Sequence, residues 1–252
     1  MSEPTTTSLA LFIGRMIKRL IGTDTFGLRL WLYGLWDRNS EIRVSVAALL
    51  RVADGDQYLL VQNLLRPDIF GPLGGVFKYH GEGRSALDKF DFRPQDAKNP
   101  ADMKDDLRGF LPRKHLFKFR SWFLANEKRE DSTVCLRREL KEELLQVGLD
   151  QSKFSIADLQ FSLVRRVDER PQRATGRKYR QYRIFEVYQL VESTEAQKFS
   201  CALWSQARNT TAIISATADE IVQGRTITGA SIGQQAGYLF GARQVRQEPP
   251  LF

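Results

Sequence analysis

One strongly periodic segment lies in the middle of the chain, between residues 134 and 147. Leu136, Leu140, Leu144 and Val147 recur there at helical spacing and form a single apolar stripe. We therefore predict an amphipathic helix over residues 134–147, with this stripe facing a core.

Strands are predicted on both sides of that helix from runs of β-branched and aliphatic residues. They cover residues 42–52, 57–62, 161–167 and 182–191. Asp54-Gly55-Asp56 separates the first two and is a strong hairpin signal. Near the end of the chain, Thr217 and Glu220 have the capping-box spacing, which predicts a short helix over residues 218–223 that ends at Gly224.

Two further segments have weaker patterns. From residue 81 to 106, charge, Gly and Pro dominate and periodicity fades, so we predict an inserted loop, a class that often forms lids or binding elements. Residues 116–126 are rich in aromatic side chains and fit either a helix or a strand. Those aromatics could stack a base or form a core or interface patch, and His115 beside them is interpreted as structural.

The amino-terminal region contains two apolar runs, residues 9–21 and 26–36, with basic side chains among them. Neither reaches the roughly 20 uninterrupted apolar residues that span a bilayer. An amphipathic helix of this kind either packs onto the core or a dimer partner, or lies on an anionic membrane with Trp31 and Trp36 at the interface. Both alternatives stay open at this point.

Composition changes the picture only modestly. A chain of 252 residues with 42% apolar residues can form one well-packed domain with additions. Its net charge of +8 favours an anionic partner, which could be a nucleotide, a nucleic acid or a membrane surface. With only Cys135 and Cys201 and no evident secretory signal, we expect a cytoplasmic protein, with a peripheral place at the inner membrane as the alternative.

Three carboxylates share one face of the predicted helix. Glu139, Glu142 and Glu143 are related by i, i+3 and i+4, so they lie together beside the apolar stripe. Their mutual repulsion disappears if Mg²⁺ or Mn²⁺ sits among them, because both are hard cations that prefer oxygen ligands. The alternative is an ordinary solvated helix face on which acidic and basic residues interleave.

The most basic stretch of the chain lies between residues 165 and 183, where eight Arg or Lys side chains face two acidic ones. Guanidinium groups grip phosphates through paired hydrogen bonds, and Tyr179 and Tyr182 could stack a base. The alternative is a solvated loop that keeps the protein soluble. The candidate substrate-binding residues here are Arg165, Arg166, Arg177, Lys178 and Arg180.

The order E-x7-R-E-L-K-E-E-L, from Glu130 through Arg138 to Glu143, resembles the Nudix box, G-x5-E-x7-R-E-U-x-E-E-x-G-U, where U is a bulky aliphatic residue. Three features depart from that pattern. Residues 76–129 separate Gly75, the best match to the first glycine, from Glu130. Leu145 and Gln146 replace the final glycine and aliphatic residue.

The chain around the box is similar to the SMODS-associated Nudix domain over about residues 40–190. The segments that carry this likeness are residues 42–52, 57–62, 72–79, 106–112 and 122–123. The resemblance implies an α/β fold, a Nudix-type α/β/α sandwich with a mixed sheet and a helical amino-terminal extension. We expect that extension over residues 1–40, the Nudix domain over residues 41–223 with an insertion around residues 76–129, and a tail over residues 224–252.

The resemblance also implies roles for the box residues. Glu139, Glu142, Glu143 and a carbonyl of Gly75 or its neighbour Gly74 would hold Mg²⁺ or Mn²⁺, and Glu139 or Glu142 would accept the proton of the attacking water. Glu130 and Arg138 would form the ion pair that supports the box. Glu186, in a predicted strand, is an additional candidate for the base.

The implied function is Mg²⁺-dependent hydrolysis of a nucleoside diphosphate-linked or related nucleotide, within cyclic-nucleotide anti-phage defence. The chief alternative is a sensor of the same fold that binds a nucleotide second messenger without cleaving it, favoured by the displaced Gly75 and the replaced glycine. A third is a membrane-docked effector. Expected partners are a nucleotide or cyclic oligonucleotide, a cyclic-oligonucleotide synthase as a functional link, a homo-oligomer and a membrane surface.

Overall fold

The computed structural model describes residues 24–63, 66–95 and 105–241. In chain order the strands are β1 (Glu41–Arg51), β2 (Ala53–Asp54), β3 (Gln57–Asn63), β4 (Arg66–Gly71), β5 (Leu73–Val76), β6 (Arg93–Pro94), β7 (Arg108–Pro112), β8 (Phe161–Asp168), β9 (Gln172–Arg173), β10 (Arg180–Leu190), β11 (Ile213–Thr217) and β12 (Ser231–Ile232). The helices are α1 (Thr25–Leu35), α2 (Gly81–Asp88), α3 (Leu116–Leu124), α4 (Ser132–Gln146), α5 (Thr194–Asn209) and α6 (Ala218–Gln223). The amphipathic segment predicted over residues 9–21 lies outside the described residues.

Two mixed sheets organise the fold. In the larger one, β1 is central, runs parallel to β10 on one edge, and pairs antiparallel with both β5 and β7 on its other edge. β5 faces the second half of β1 and β7 faces the first half, while β8, β9 and β6 complete the sheet. The smaller sheet has the order β11-β3-β4-β12, with β2 added beside β3.

The two faces of β1 bury different cores because side chains alternate along a strand. Val44, Val46 and Ala48 belong to a hydrophobic cluster shared with residues of the α-helices, whereas Ala47 and Leu49 belong to a second cluster with the smaller sheet. The predicted α/β fold with a mixed sheet is confirmed. On the second face, the smaller sheet and a 3₁₀ helix at Gln234–Leu239 cover the larger sheet.

Helix α4 forms where the apolar stripe predicted it. The Asp131 side chain accepts a hydrogen bond from the Thr133 backbone N–H at 2.8 Å and caps the helix start. Leu136, Leu140 and Leu144 are fully buried. The predicted hairpin after β1 and the capping box before α6 are also confirmed, and Glu220 serves as the cap of α6.

The segment predicted as an inserted loop contains helix α2 and strand β6. Leu87 and Phe92 are almost fully buried in the same core as the helix-facing side of β1. This prediction was wrong because α2 is eight residues long and carries too few apolar residues to show helical periodicity. Its stability comes from tertiary packing rather than from local pattern.

The aromatic segment is helix α3, and Phe119 and Phe123 are completely buried there. These two rings therefore form core and cannot stack a substrate base. His115 Nε2 lies 3.3 Å from Oδ2 of Asp91, which is another residue of the insertion.

Residues 224–241 extend the fold beyond the predicted boundary at residue 223. β12 pairs parallel with β4, and Tyr238 is buried where its hydroxyl donates to Glu169 at 2.7 Å. The sequence showed no periodicity here because β12 has two residues and the following helix is a short 3₁₀ turn.

Helix α1 packs onto α3 with one face. Leu30 is 1% exposed, and a side chain at Gly34 would press against the Arg113 backbone carbonyl. Trp36, just beyond the helix, is 82% exposed, and Leu32 and Leu35 are each about half exposed. Within the described ranges, no helix has the length and hydrophobicity that crossing a membrane requires.

Candidate metal and nucleotide site

The insertion begins just after β5, and pairing between residues 78–79 and 105–106 forms a narrow neck at its base. Lys78 and Asp106 form an antiparallel bridge, and the Tyr79 backbone N–H donates to the Asp105 carbonyl at 2.9 Å. After β7 and α3 the chain arrives beside β5 again, where the Glu130 backbone N–H donates to the Lys78 carbonyl at 2.8 Å. The two parts of the box are therefore neighbours in space although residues 76–129 separate them in sequence.

A buried ion pair joins these parts. Arg138 donates to both oxygens of Glu130, from Nε at 2.9 Å and from Nη2 at 2.8 Å, and Nη2 also donates to the Val76 carbonyl. Glu130 accepts a further hydrogen bond from the Lys78 backbone N–H at 3.0 Å. The Glu130 side chain is only 6% exposed, so both of its oxygens are satisfied inside the protein.

Two glycines on β5 let the helix carboxylates reach the strand backbone. A β-carbon on Gly75 would overlap the Glu139 carboxylate, so only glycine leaves room for that side chain. Gly74 has φ +126°, and a β-carbon there would overlap the Ala48 backbone carbonyl. These steric requirements explain why the pair Gly74-Gly75 stands opposite α4.

The three box carboxylates differ in their surroundings. Glu143 accepts a hydrogen bond from the Gly74 backbone N–H at 2.9 Å, and burial together with the nearby Glu139 and Glu142 raises its pKa to about 8. Glu139 is mostly buried, which raises its pKa even though Arg138 Nη1 donates to it at 2.6 Å. The Glu142 side chain is 54% exposed and lies 3.9 Å from the same guanidinium nitrogen.

These residues fit a hard divalent cation by their chemistry. Carboxylate oxygens are the ligands that Mg²⁺ and Mn²⁺ prefer, and a cation would relieve the unfavourable burial of Glu139 and Glu143. As the side chains stand, no group of three His, Cys, Asp or Glu residues in the described part of the chain is arranged to hold a metal ion. Arg138 bonds Glu139, and Glu143 is turned to the Gly74 amide, so binding a cation would require these carboxylates to reorient.

The end of the box is displaced along the chain. Helix α4 continues through the positions of Leu145 and Gln146, and Leu145 is 71% exposed. Gly148 then adopts φ +68°, and the Leu149 backbone N–H donates to the Leu144 carbonyl at 3.0 Å. Gly148 and the buried Leu149 thus end the helix three residues later than in the box pattern.

Asp106 is an acidic residue at this site that the sequence analysis did not identify. It is 6% exposed at the neck of the insertion, and burial raises its pKa, opposed by the charges of Arg108, Lys78 and Arg138. Its charge also contributes to the raised pKa of Glu139. Nothing in the local sequence indicates this role, because the β-bridge between Lys78 and Asp106 creates the proximity.

Glu186 is buried on β10 with both oxygens engaged. Arg166 donates to one oxygen from Nε at 2.9 Å and Nη2 at 2.7 Å, and the Tyr188 hydroxyl donates to the other at 2.7 Å. Glu186 therefore neutralises Arg166 in this structure. Its carboxylate is therefore not free to act as a general base.

The structure does not bring the predicted substrate-binding cations together. Arg165 and Arg166 project from opposite faces of β8, because successive side chains of a strand alternate between its two faces. In the pairing with β10, Arg166 stands opposite Glu186 and Arg165 stands opposite Val187. The remaining cations are exposed around the turn between β9 and β10; they are Arg177, Lys178 and Arg180.

That turn is distant from the carboxylates. Arg180 pairs with Ile42 on β1, whereas Gly75 pairs with Ala48, six residues further along the strand. Six residues of strand correspond to about 20 Å. Of the two tyrosines considered for stacking, Tyr182 is fully buried and Tyr179 contacts the ring of Phe110.

No curated protein and no solved structure matches the chain. The sequence model of one protein family, described as the SMODS-associated NUDIX domain, matches residues 41–240 and so covers β1 through the last described 3₁₀ helix. That match includes both glycines of β5, the whole insertion and the box on α4. The chain therefore belongs to the SMODS-associated NUDIX domain family.

Proposed function

We propose that this protein hydrolyses a nucleoside diphosphate-linked or related nucleotide in a reaction that depends on Mg²⁺ or Mn²⁺. The observation that carries the proposal is the packing of Gly74 and Gly75 against Glu143 and Glu139 across the insertion. The long separation of Gly75 from Glu130 in the sequence favoured the alternative of a sensor, in which the glycine no longer lies in catalytic geometry. The contact between β5 and α4 supports the proposal despite this separation.

The box residues would have different roles in this reaction. Glu139, Glu142 and Glu143, with the carbonyl of Gly75, would hold the cation. When bound, the cation neutralises phosphate charge and lowers the pKa of a water ligand. Glu142 is the better placed of the two proposed bases, because its carboxylate is exposed to solvent whereas Glu139 is bonded to Arg138.

The matched family is described as SMODS-associated, and the resemblance to that family implies a link to nucleotide signalling. On that basis we propose that the ligand is a nucleotide or cyclic oligonucleotide used in anti-phage defence, and that a cyclic-oligonucleotide synthase is the functional partner. The basic character of the chain, at +8, suits an anionic ligand of this kind.

A nucleotide sensor without hydrolytic activity is the second candidate. It is favoured by one observation, that Arg138 bonds Glu139 and approaches Glu142, so a cation must displace part of this network to bind. In a sensor, the same residues would bind phosphate and metal without turnover.

The test is incubation of the full chain with Mg²⁺ and a panel of ADP-ribose, dinucleoside polyphosphates, and cyclic di- and trinucleotides, with chromatographic analysis of products. We expect hydrolysis of at least one class, lost in Glu143→Gln and retained in Leu145→Gln, whose side chain is exposed on the same helix. Calorimetric binding without product would support the sensor. Neither binding nor product across the panel would contradict both proposals.

A further inference from the structure

A groove runs along α4, and Glu142 of the box contributes to its lining. It has a volume of about 460 Å³ and lies between one stripe of the helix and the residues at Ile156 and Ala157. That volume falls within the range of roughly 300–1,000 Å³ of small-molecule sites. The helix stripe consists of Val134, Arg137, Arg138, Lys141 and Glu142.

The stripe is continuous because its members follow the i, i+3, i+4, i+7 and i+8 spacing of one helix face. Glu142, at one end, is a proposed metal ligand. Val134, at the other end, is 54% exposed although it is apolar. Eight residues of helix separate these ends, which corresponds to about 12 Å.

The middle of the groove is positively charged. Arg137 is held in place by hydrogen bonds to the Leu159 carbonyl, from Nη2 at 2.8 Å and Nε at 3.3 Å. Lys141 is exposed one helical turn away. In the portion of the chain that is described, no carboxylate forms an ion pair with either side chain, so their charge is available to an anion.

The groove also has apolar lining. Val134, at the end away from Glu142, is 54% exposed, Ala157 is exposed, and Ile156 is 6% exposed. A flat ring could cover these side chains and remove their apolar surface from water. The charge of Arg137 and Lys141 together with the apolar lining matches a molecule that carries both a phosphate and a base.

We propose that this groove binds a nucleoside monophosphate unit of the substrate, with the phosphate at Arg137 and Lys141 and the base against Val134 and Ala157. The inference deepens the proposed function and rests on it, since it places the rest of the substrate next to the bond that Glu142 would help to hydrolyse. It moves nucleotide recognition away from the turn between β9 and β10.

The test is calorimetric titration of the full chain with AMP, GMP, CMP and UMP in EDTA, so that binding does not require a metal. We expect at least one nucleotide to bind, with Kd raised about tenfold in Lys141→Glu, equivalent to the loss of one charge-assisted hydrogen bond. A smaller rise, about threefold to tenfold, is expected in Val134→Asn. The controls are Lys89→Glu and Leu145→Asn, which change exposed residues outside the groove and should leave Kd unchanged.

Failure of the groove and failure of the hydrolase proposal give different results. Hydrolysis lost in Glu143→Gln, together with nucleotide affinity that the groove variants do not alter, would overturn the groove alone. The absence of any mononucleotide binding to the unmodified protein would also overturn it. Binding that weakens only in the groove variants, without hydrolysis of any probe, would retain the groove as a nucleotide subsite and reject the hydrolase.

Discussion

At the scale of single residues, Arg138 makes the densest set of contacts in the site. It bonds both oxygens of the buried Glu130, one oxygen of Glu139 and the carbonyl of Val76. Removing this guanidinium would leave the Glu130 carboxylate buried without its counter-charge. Breaking one side of a buried pair costs much more than losing a surface pair.

We therefore expect Arg138→Met to lower the free energy of unfolding by about 3–5 kcal/mol. Urea denaturation followed by circular dichroism measures this change. The control is Lys198→Met, which removes an exposed pair with Glu195 and should cost less than about 0.5 kcal/mol. Equal, small effects of both substitutions would contradict the structural role of Arg138.

Glu143 makes stability depend on pH in an unusual direction. Its pKa is raised to about 8 in the folded protein from 4.5, mainly by burial. The folded state thus keeps a proton that the unfolded state releases, and stability is lost as pH rises from about 4.5 through 8. Burial raises the pKa of Glu139 and Asp106 as well, so both act in the same direction.

In EDTA, we expect Tm to fall by several degrees between about pH 5 and pH 8, since each kcal/mol corresponds to about 2–4 °C in a domain of this size. Glu143→Gln should make this dependence less steep because it removes one of the three groups whose pKa is raised by burial. Thermal unfolding across that pH range tests both statements. A wild-type Tm that rises over the same interval would refute the assignment.

At the scale of elements, strand β5 and helix α4 pack closely because Gly75 has no side chain at the point of contact. A β-carbon on Gly75 would occupy the place of the Glu139 carboxylate, which is the end of a side chain that can move aside. The fold can therefore accept a methyl group at this position. The position of Glu139 relative to the strand cannot remain unchanged.

We expect Gly75→Ala to reduce metal-dependent turnover on the order of a hundredfold, as small misplacements of catalytic groups do, while Tm falls by only a few degrees. Product assays and thermal unfolding measure the two effects. In Gly81→Ala the added methyl group meets open space, so both quantities should stay near their original values. Full activity of Gly75→Ala would argue against Glu139 as a metal ligand.

At the scale of the whole molecule, the insertion is part of the domain rather than an appendage. Phe92 is 2% exposed and packs with Phe119 of α3, and both belong to the core that also contains the buried face of α4. The insertion therefore shares its hydrophobic stabilisation with the box helix. Its loss would affect the site indirectly through this common core.

We expect Phe92→Ala to lower the free energy of unfolding by about 3–5 kcal/mol through loss of buried surface and creation of a cavity. Trp36→Ala removes a larger ring that is 82% exposed and should change stability by less than about 0.5 kcal/mol. Chemical denaturation distinguishes the two. A negligible cost at Phe92 would contradict the role of this ring in the common core.

The sequence by itself determined the features that depend on residues close together along the chain. Helix α4, the hairpin at Gly55 and the capping box at Thr217 were predicted correctly because periodicity, turn residues and side-chain caps act within a few residues. The order of the box residues likewise placed three carboxylates on one helix face. Helix α2, by contrast, could not be predicted, since its burial and not its pattern stabilises it.

Only the tertiary structure decided which distant segments meet. Pairing at the neck of the insertion brought Gly75 back to the box helix and placed Asp106 beside Glu139. Strand register placed Arg180 six residues, or about 20 Å, along β1 from the position that pairs with Gly75. These outcomes depend on pairing between strands far apart in sequence, whose register is set by burial of whole faces and not by local residue preference.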